Sequence, residues 1–168
     1  MVWGMMSAYG LSELHFVPPK QTVDQIYYRD KILKECALPA MRRTKSNGSI
    51  LKRKLMPDMS KAIFQQDSAT SHTAKSVCKY LQDEGICYWT KLQWPGNSPD
   101  LNPIENLWSI LQNKVDEQKK QPTTIDSLKQ MLKKGWSEIK PETLQNLSDS
   151  MPERMRAVLK NKGEYIGR

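Results

Sequence analysis

Two acids stand where their oxygens could do chemistry. Asp67 ends a short apolar segment in Ala62-Ile63-Phe64-Gln65-Gln66-Asp67-Ser68-Ala69-Thr70-Ser71-His72-Thr73-Ala74, and a helical pattern follows. Glu105 falls on the first turn of a second helical pattern, in Ser98-Pro99-Asp100-Leu101-Asn102-Pro103-Ile104-Glu105-Asn106-Leu107-Trp108. Carboxylates from separate elements can hold a pair of divalent cations about 3.5–4 Å apart, and such a pair stabilises both oxygens of a phosphoryl transfer. Mg²⁺ in particular takes oxygen ligands and keeps several waters. The two acids are separated by 37 residues, which by itself is a weak signal. Each also has a plainer use: Asp67 suits a helix-entry cap, and Glu105 suits a helix N-terminus, where the dipole favours negative charge.

The elements that must position these acids are legible in outline. Val2–Ser7 and Leu14–Val17 read as two strands of a hairpin, turned at Tyr9-Gly10 and stopped by Pro18-Pro19. Thr22 reads as the cap of a helix with Val23, Ile26, Tyr27, Leu33 and Ala37 on its apolar stripe. Ala62–Gln65 is a third strand, and a helix from about Thr73 carries Ala74, Val77, Cys78 and Leu81 on one face until Gly85. Ile86–Trp89 is a fourth strand. Residues 90–103 form a proline-punctuated loop, and Pro103 suits the first turn of the helix striped by Ile104, Leu107, Trp108, Leu111 and Val115. Glu105 lies about 100° round that helix from Ile104, which leaves it free to face the strand ends. Trp94 is expected to pack beneath the loop, and Trp108 to lie in the core. Thr124–Ile139 is a further amphipathic helix, and Leu144, Leu147, Met151, Met155 and Leu159 mark one or two last ones.

The chain has 168 residues and a net charge of +8, which favours an acidic partner such as nucleic acid. The charge is concentrated: Arg42, Arg43, Lys45, Lys52, Arg53, Lys54 and Lys61 are accompanied only by Asp58. That stretch suits contact with a phosphate backbone, or simply a solvated loop. No apolar run is long enough to cross a bilayer, and Met1–Met6 has the character of a strand, without the basic and apolar regions of a signal peptide. Cys36, Cys78 and Cys87 lack metal-type spacing and read as buried thiols of a reducing compartment.

The words around the acids are more specific than their spacing. Phe64-Gln65-Gln66-Asp67 followed by His72-Thr73 resembles the second-aspartate motif of the Tc/mariner DDE transposases, and Trp94-Pro95-Gly96-Asn97-Ser98-Pro99-Asp100-Leu101-Asn102-Pro103-Ile104-Glu105-Asn106-Leu107-Trp108 resembles their third-acid motif. Val2-Trp3-Gly4 resembles the opening of the family's second strand, so the likeness runs from residue 1 to about 118. It implies an α/β, ribonuclease-H-like mixed sheet flanked by helices, with a catalytic region over residues 1–120 and a helical C-terminal extension over 121–168. It also implies Mg²⁺ or Mn²⁺ in a two-metal site held by an Asp, Asp, Glu triad. Asp67 would be the second acid and Glu105 the third.

The resemblance places the first acid on a central strand ahead of Val2, and that strand is missing here. Asp24, Asp30 and Asp58 are poor substitutes, because two fall in a helix and one in the basic loop. The chain is therefore expected to be an N-terminally truncated catalytic domain, inactive by itself and poorly stable, with strand edges left unpaired. The implied chemistry is DNA strand cleavage by water, then attack of the freed 3′ hydroxyl on target DNA, with no covalent protein intermediate. The implied partners are transposon ends and target DNA, with a homodimer in the active complex and the nucleus as compartment. Candidate DNA contacts are Arg42, Arg43, Lys45, Lys52, Arg53, Lys54 and His72, although His72 equally suits a structural position at a helix start. His15 carries no functional case, and Asp100 reads as a turn or cap residue. The competing reading is a transposon-derived, non-catalytic nuclear DNA-binding protein; a ribonuclease-H-type nuclease is a third, disfavoured by the Ser98–Trp108 motif.

Overall fold

Val2–Trp3 (β1) pairs antiparallel with His15–Phe16 (β4), Val2 facing Phe16 and Trp3 facing His15. Between them Met6–Ser7 (β2) and Gly10–Leu11 (β3) form a second two-stranded ladder. The single strand expected over Val2–Ser7 is thus interrupted. The cause is local: Met5 N–H donates to Ser12 Oγ and Ser12 N–H to Met5 O, both at 2.8 Å, so these backbone groups are satisfied across the loop rather than along a ladder. This computed structural model describes residues 1–42, 55–96, 98–118 and 121–166. The chain forms two compact units, Met1–Met5 with Leu11–Asn97, and Met6–Gly10 with Ser98–Arg168.

In the first unit a continuous helical segment runs through Gln25–Tyr27 (α1), a π-helical stretch Tyr28–Ala37, and Leu38–Arg42 (α2). Its cap is Asp24 rather than Thr22: one carboxylate oxygen accepts the N–H groups of Ile26 and Tyr27 at 3.0 and 2.8 Å. An anionic cap satisfies two orphan donors and complements the helix dipole. The π-helical turn is visible in the bond from Leu38 N–H to Leu33 O, five residues back. It ends just before Pro39, whose ring would crowd the carbonyl four residues earlier in a regular α-helix. Tyr28, Ile32, Leu33 and Ala37 are buried and pack with Leu38, Met41, Leu55, Phe64, Val77, Leu81 and Ile86 as the core of this unit.

The two inner segments expected as strands are extended but scarcely laddered. Phe64 and Tyr88 form one parallel bridge, with Phe64 N–H donating to Cys87 O at 2.8 Å and Trp89 N–H to Phe64 O at 3.3 Å. Alternation survives: Ala62 and Phe64 are buried and Ile63 is exposed, and Ile86 is buried while Cys87 faces solvent. Cys36 and Cys78 are half-buried. The reading of three buried thiols is corrected here, because position 87 falls on the outer side of that alternation. Lys75–Asp83 (α3) buries Val77 and Leu81 and ends as anticipated at Gly85, whose φ of 68° is the left-handed conformation. Gly85 N–H reaches Gln82 O and Ile86 N–H reaches Leu81 O, both at 2.9 Å, which satisfies carbonyls the helix leaves open. Trp94 is buried, as expected.

The second unit is built on Pro103–Asp116 (α4), with Asn102 as cap, Pro103 in the first turn, and Leu107, Leu111 and Val115 buried. Ile125–Ser137 (α5) starts at a reciprocal Thr124–Ser127 capping box. Gly135 lets the two helices close: a Cβ there would meet Leu111 Cδ1 at 2.9 Å. Trp108 is only half-buried, a departure from the expected core position, and it stacks on buried Trp136 at 5.1 Å. Pro141–Asp149 (α6) and Met151–Lys160 (α7) complete the unit, with β2 against α6. Among the described residues no helix is long and apolar enough to cross a membrane.

Asp100, read from the sequence as a turn or cap residue, is a buried anchor in the 3₁₀ turn Pro99–Leu101. Its carboxylate accepts Leu101 N–H at 3.1 Å and Ile166 N–H at 3.0 Å, and its backbone carbonyl accepts Arg154 Nη1 at 2.7 Å. The segment beyond Lys160 is therefore tied down at Ile166.

Two predictions follow from this packing. Gly135→Val should destabilise the fold by about 1–3 kcal/mol through overpacking, and urea unfolding should show a smaller cost in a Leu111→Ala background because the two sites share one contact. Asp100→Ala should cost about 1–3 kcal/mol by stranding buried donors, and amide exchange should accelerate at Ile166.

Candidate functional site

Asp67 is where the alternating segment Ala62–Gln66 leaves the core and turns to solvent. Its Oδ1 accepts two bonds, from Ala69 N–H at 3.0 Å and from His72 Nδ1 at 2.5 Å. The first closes an Asx-type turn, which is how a short acid can shape its own loop. The second comes from a ring at the start of the next helix. A carboxylate has only acceptor capacity, so Nδ1 carries the proton of this pair. The His72 bond, opposed by partial burial and helped by Ala69 N–H, holds the Asp67 carboxyl below the usual carboxylate range. Among the described residues Oδ2 makes no hydrogen bond, and the Asp67 side chain is 65% exposed.

The ring that holds Asp67 is itself held. His72 lies on Tyr28 with ring centroids 3.8 Å apart and planes at 30°. The Tyr28 hydroxyl donates to Gln66 Oε1 at 2.8 Å, and Gln66 Nε2 donates to His72 O at 3.0 Å. Burial, and then the Asp67 charge, push the Tyr28 phenol far above its ordinary range, so it stays protonated and donates. Tyr28 and Gln66 were not singled out by sequence reasoning. Gln66 sits beside Asp67, but nothing at Tyr28 distinguishes it from other helix aromatics until the chain is folded.

Glu105 stands on the first turn of α4 in the other unit. Its N–H donates to Asn102 O at 3.1 Å and its carbonyl accepts Ser109 Oγ at 3.1 Å, which leaves the side chain as the variable part. Among the described residues no hydrogen bond or ion pair engages its carboxylate. The position also complements the helix dipole. Among the described residues two buried side-chain amide atoms lack a partner, Gln65 Nε2 and Asn106 Oδ1.

The other predicted contacts divide sharply. Arg42 donates from Nη1 to the Glu84 carboxylate at 2.7 Å and from Nη2 to Glu84 O at 2.5 Å, at the C-terminal end of α3. Arg43, Lys45, Lys52, Arg53 and Lys54 lie outside the described residues. Among the described residues no three His, Cys, Asp or Glu side chains form a metal-binding group. Carboxylate oxygens such as those of Asp67 are of the chemical kind that suits Mg²⁺ or Mn²⁺.

Comparison with known proteins agrees with the motifs. A family model described as DDE superfamily endonuclease matches residues 36–129, more than half of the chain. The Tc3 transposase of Caenorhabditis elegans is 42% identical over 103 residues, which cover 61% of this chain and 30% of that protein. The matched residues thus span about a third of that relative's length, and where 97% of the chain is matched, to the Tcb1 transposase of Caenorhabditis briggsae at 29% identity, they span 52%. The structure of the Mos1 transposase catalytic domain with raltegravir and Mg superposes with a TM-score of 0.76 at 22% identity, over 99% of this chain and 75% of that one. The Mos1 paired-end complex with the left transposon end gives a TM-score of 0.74 at 20% identity, over 99% of this chain and 44% of that one. At such identities the likeness establishes the fold, which is the ribonuclease-H-like fold of that catalytic domain. The chain belongs to the DDE superfamily endonucleases.

Proposed function

We propose that this chain is part of a Tc/mariner-type DNA transposase, and that Asp67 and Glu105 are two of its metal ligands. The observation that carries the reading is the Asp67 carboxylate. It sits at the end of an extended segment, is fixed through one oxygen, and keeps the other oxygen clear of hydrogen bonds among the described residues. Glu105 presents a carboxylate on a fixed helix start, likewise unengaged among the described residues.

In this reading a bound Mg²⁺ or Mn²⁺ pair supplies stabilisation of the charge on the attacking and leaving oxygens of a phosphodiester. The protein's own part is positioning. Ala69 N–H and His72 Nδ1 orient Asp67, and Asn102 and Pro103 set the helix that presents Glu105. A phosphodiester P–O bond breaks as a water oxygen bonds to phosphorus, leaving a 3′ hydroxyl. That hydroxyl then attacks a target phosphodiester in the same manner, and no protein atom bonds to DNA. The resemblance implies a third carboxylate beside these two, and among the described residues no third acid joins Asp67.

The partners are transposon ends and target DNA, in the nucleus, with a second copy of the protein in the active complex. The net charge of +8 and the basic stretch that begins at Arg42 support DNA as partner. That both acids are presented with their oxygens available weighs against a purely non-catalytic DNA-binding role.

In protein extended to include the first acid, Asp67→Asn or Glu105→Gln should lower Mg²⁺-dependent cleavage of transposon-end DNA by about 10²–10³-fold, the loss of several kcal/mol of charge stabilisation. EDTA should abolish cleavage and leave gel-shift binding intact. Residues 1–168 should not cleave; robust cleavage by them that is lost on Asp67→Ala would overturn the need for another acid. Replacing Lys52, Arg53 and Lys54 together by Ala should reduce the salt slope of DNA binding by about 2–3, at roughly 0.9 per lost phosphate contact. An unchanged slope would remove that segment from the interface.

A further inference from the structure

Asp67 is the end of a chain of contacts that starts in the core. Tyr28 is the first residue of the π-helical stretch and is only 2% exposed, while Asp67 is on the surface. Between them stand one ring and one amide. The His72 imidazole is the sole side chain bonded to Asp67 among the described residues, and its face is covered by Tyr28. The Tyr28 hydroxyl, the Gln66 amide and the His72 carbonyl close a second path, at 2.8 and 3.0 Å, that fixes the backbone of the same histidine. Tyr28 therefore restrains His72 twice, once by its ring and once by its hydroxyl.

We propose that Tyr28 is a positioning residue for Asp67, acting through His72 to aim the carboxylate oxygen that would meet a divalent cation. The proposal rests on the reading of Asp67 as a metal ligand. Its physical basis is that an exposed carboxylate on a loop has rotational freedom that metal binding must remove. A ring-stacked imidazole bonded to Oδ1 removes it in advance. Groups that orient a ligand from behind are expected to change metal affinity by about 10–100-fold when lost. The π-helical stretch matters here because it begins at Tyr28, and such stretches occur often at functional sites. The plainer account is that Tyr28 is a core residue whose hydroxyl needs an acceptor. That account predicts a change in stability and none in Asp67.

The test separates the two with the chain as it stands. The protein has two histidines, so the His72 ring signals in a ¹⁵N-histidine spectrum are assigned by their loss in His72→Gln. The Nδ1–H proton bonded to Asp67 should appear far downfield. Tyr28→Phe keeps the ring and should keep that signal; Tyr28→Leu removes the ring and should lose it while the unfolding transition stays cooperative. Paramagnetic broadening by Mn²⁺ alone around Asp67 should need about 10–100-fold more Mn²⁺ in Tyr28→Leu, with Tyr28→Phe closer to the unsubstituted chain. A His72 signal and an Mn²⁺ midpoint unchanged in folded Tyr28→Leu would overturn the positioning role. Should Tyr28→Leu fail to fold, Tyr28→Met, which fills more of the same space without an aromatic face, takes its place, and an unaltered His72 signal and Mn²⁺ midpoint there overturn the proposal instead. Broadening that survives Asp67→Asn overturns the metal-ligand reading itself, which a tyrosine-insensitive His72 signal does not touch.

Discussion

A carboxylate that is to meet a cation must be held without being used up. In the reading proposed above, the Asp67–His72 bond meets that demand: it takes one oxygen, and the other makes no hydrogen bond among the described residues. The imidazole needs Tyr28 beneath it, Tyr28 needs the buried face of the helical segment, and that face needs Phe64, Val77, Leu81 and Ile86 to pack against. Hydrogen bonds to a charged group are among the stronger ones. The core of the first unit thus stands directly behind the Asp67 carboxylate.

The second unit treats two acids in opposite ways within six residues. Asp100 is buried and fully occupied by backbone donors, while Glu105 is presented on a helix start with no described partner. Burial of a carboxylate is tolerated only with hydrogen bonds in place, and Asp100 has them from its own turn and from Ile166. The turn so fixed runs directly into Asn102 and Pro103, which define where α4 begins. Glu105 thus follows closely on a turn that a buried acid holds.

Much of this was readable before folding. The helix of Glu105 followed from Pro103 and the Leu107, Leu111, Val115 stripe, and the stop at Gly85 from its freedom to take a positive φ. What was hidden depends on contacts distant in sequence. Tyr28 and Gln66 are 38 residues apart, and no local pattern announces their bond. The cap at Asp24 was missed because Thr22 offered an equally good local choice. The exposed side of Cys87 followed from a strand register that composition does not reveal. Arg42 looked like part of a cationic run, but its neighbour Glu84 arrives only when α3 packs.

The bond from Ile166 to Asp100 also has a consequence for how the chain is made. Its partners are 66 residues apart, so the loop it closes includes α4, α5, α6 and α7. Long-range closures of this kind are slow, because their entropy must be met before the contact rewards it. Until Ile166 arrives, the Asp100 carboxylate is better left in water than enclosed with a missing donor. On a ribosome, then, the turn ahead of Glu105 gains its Ile166 bond only after α4, α5, α6 and α7 have emerged.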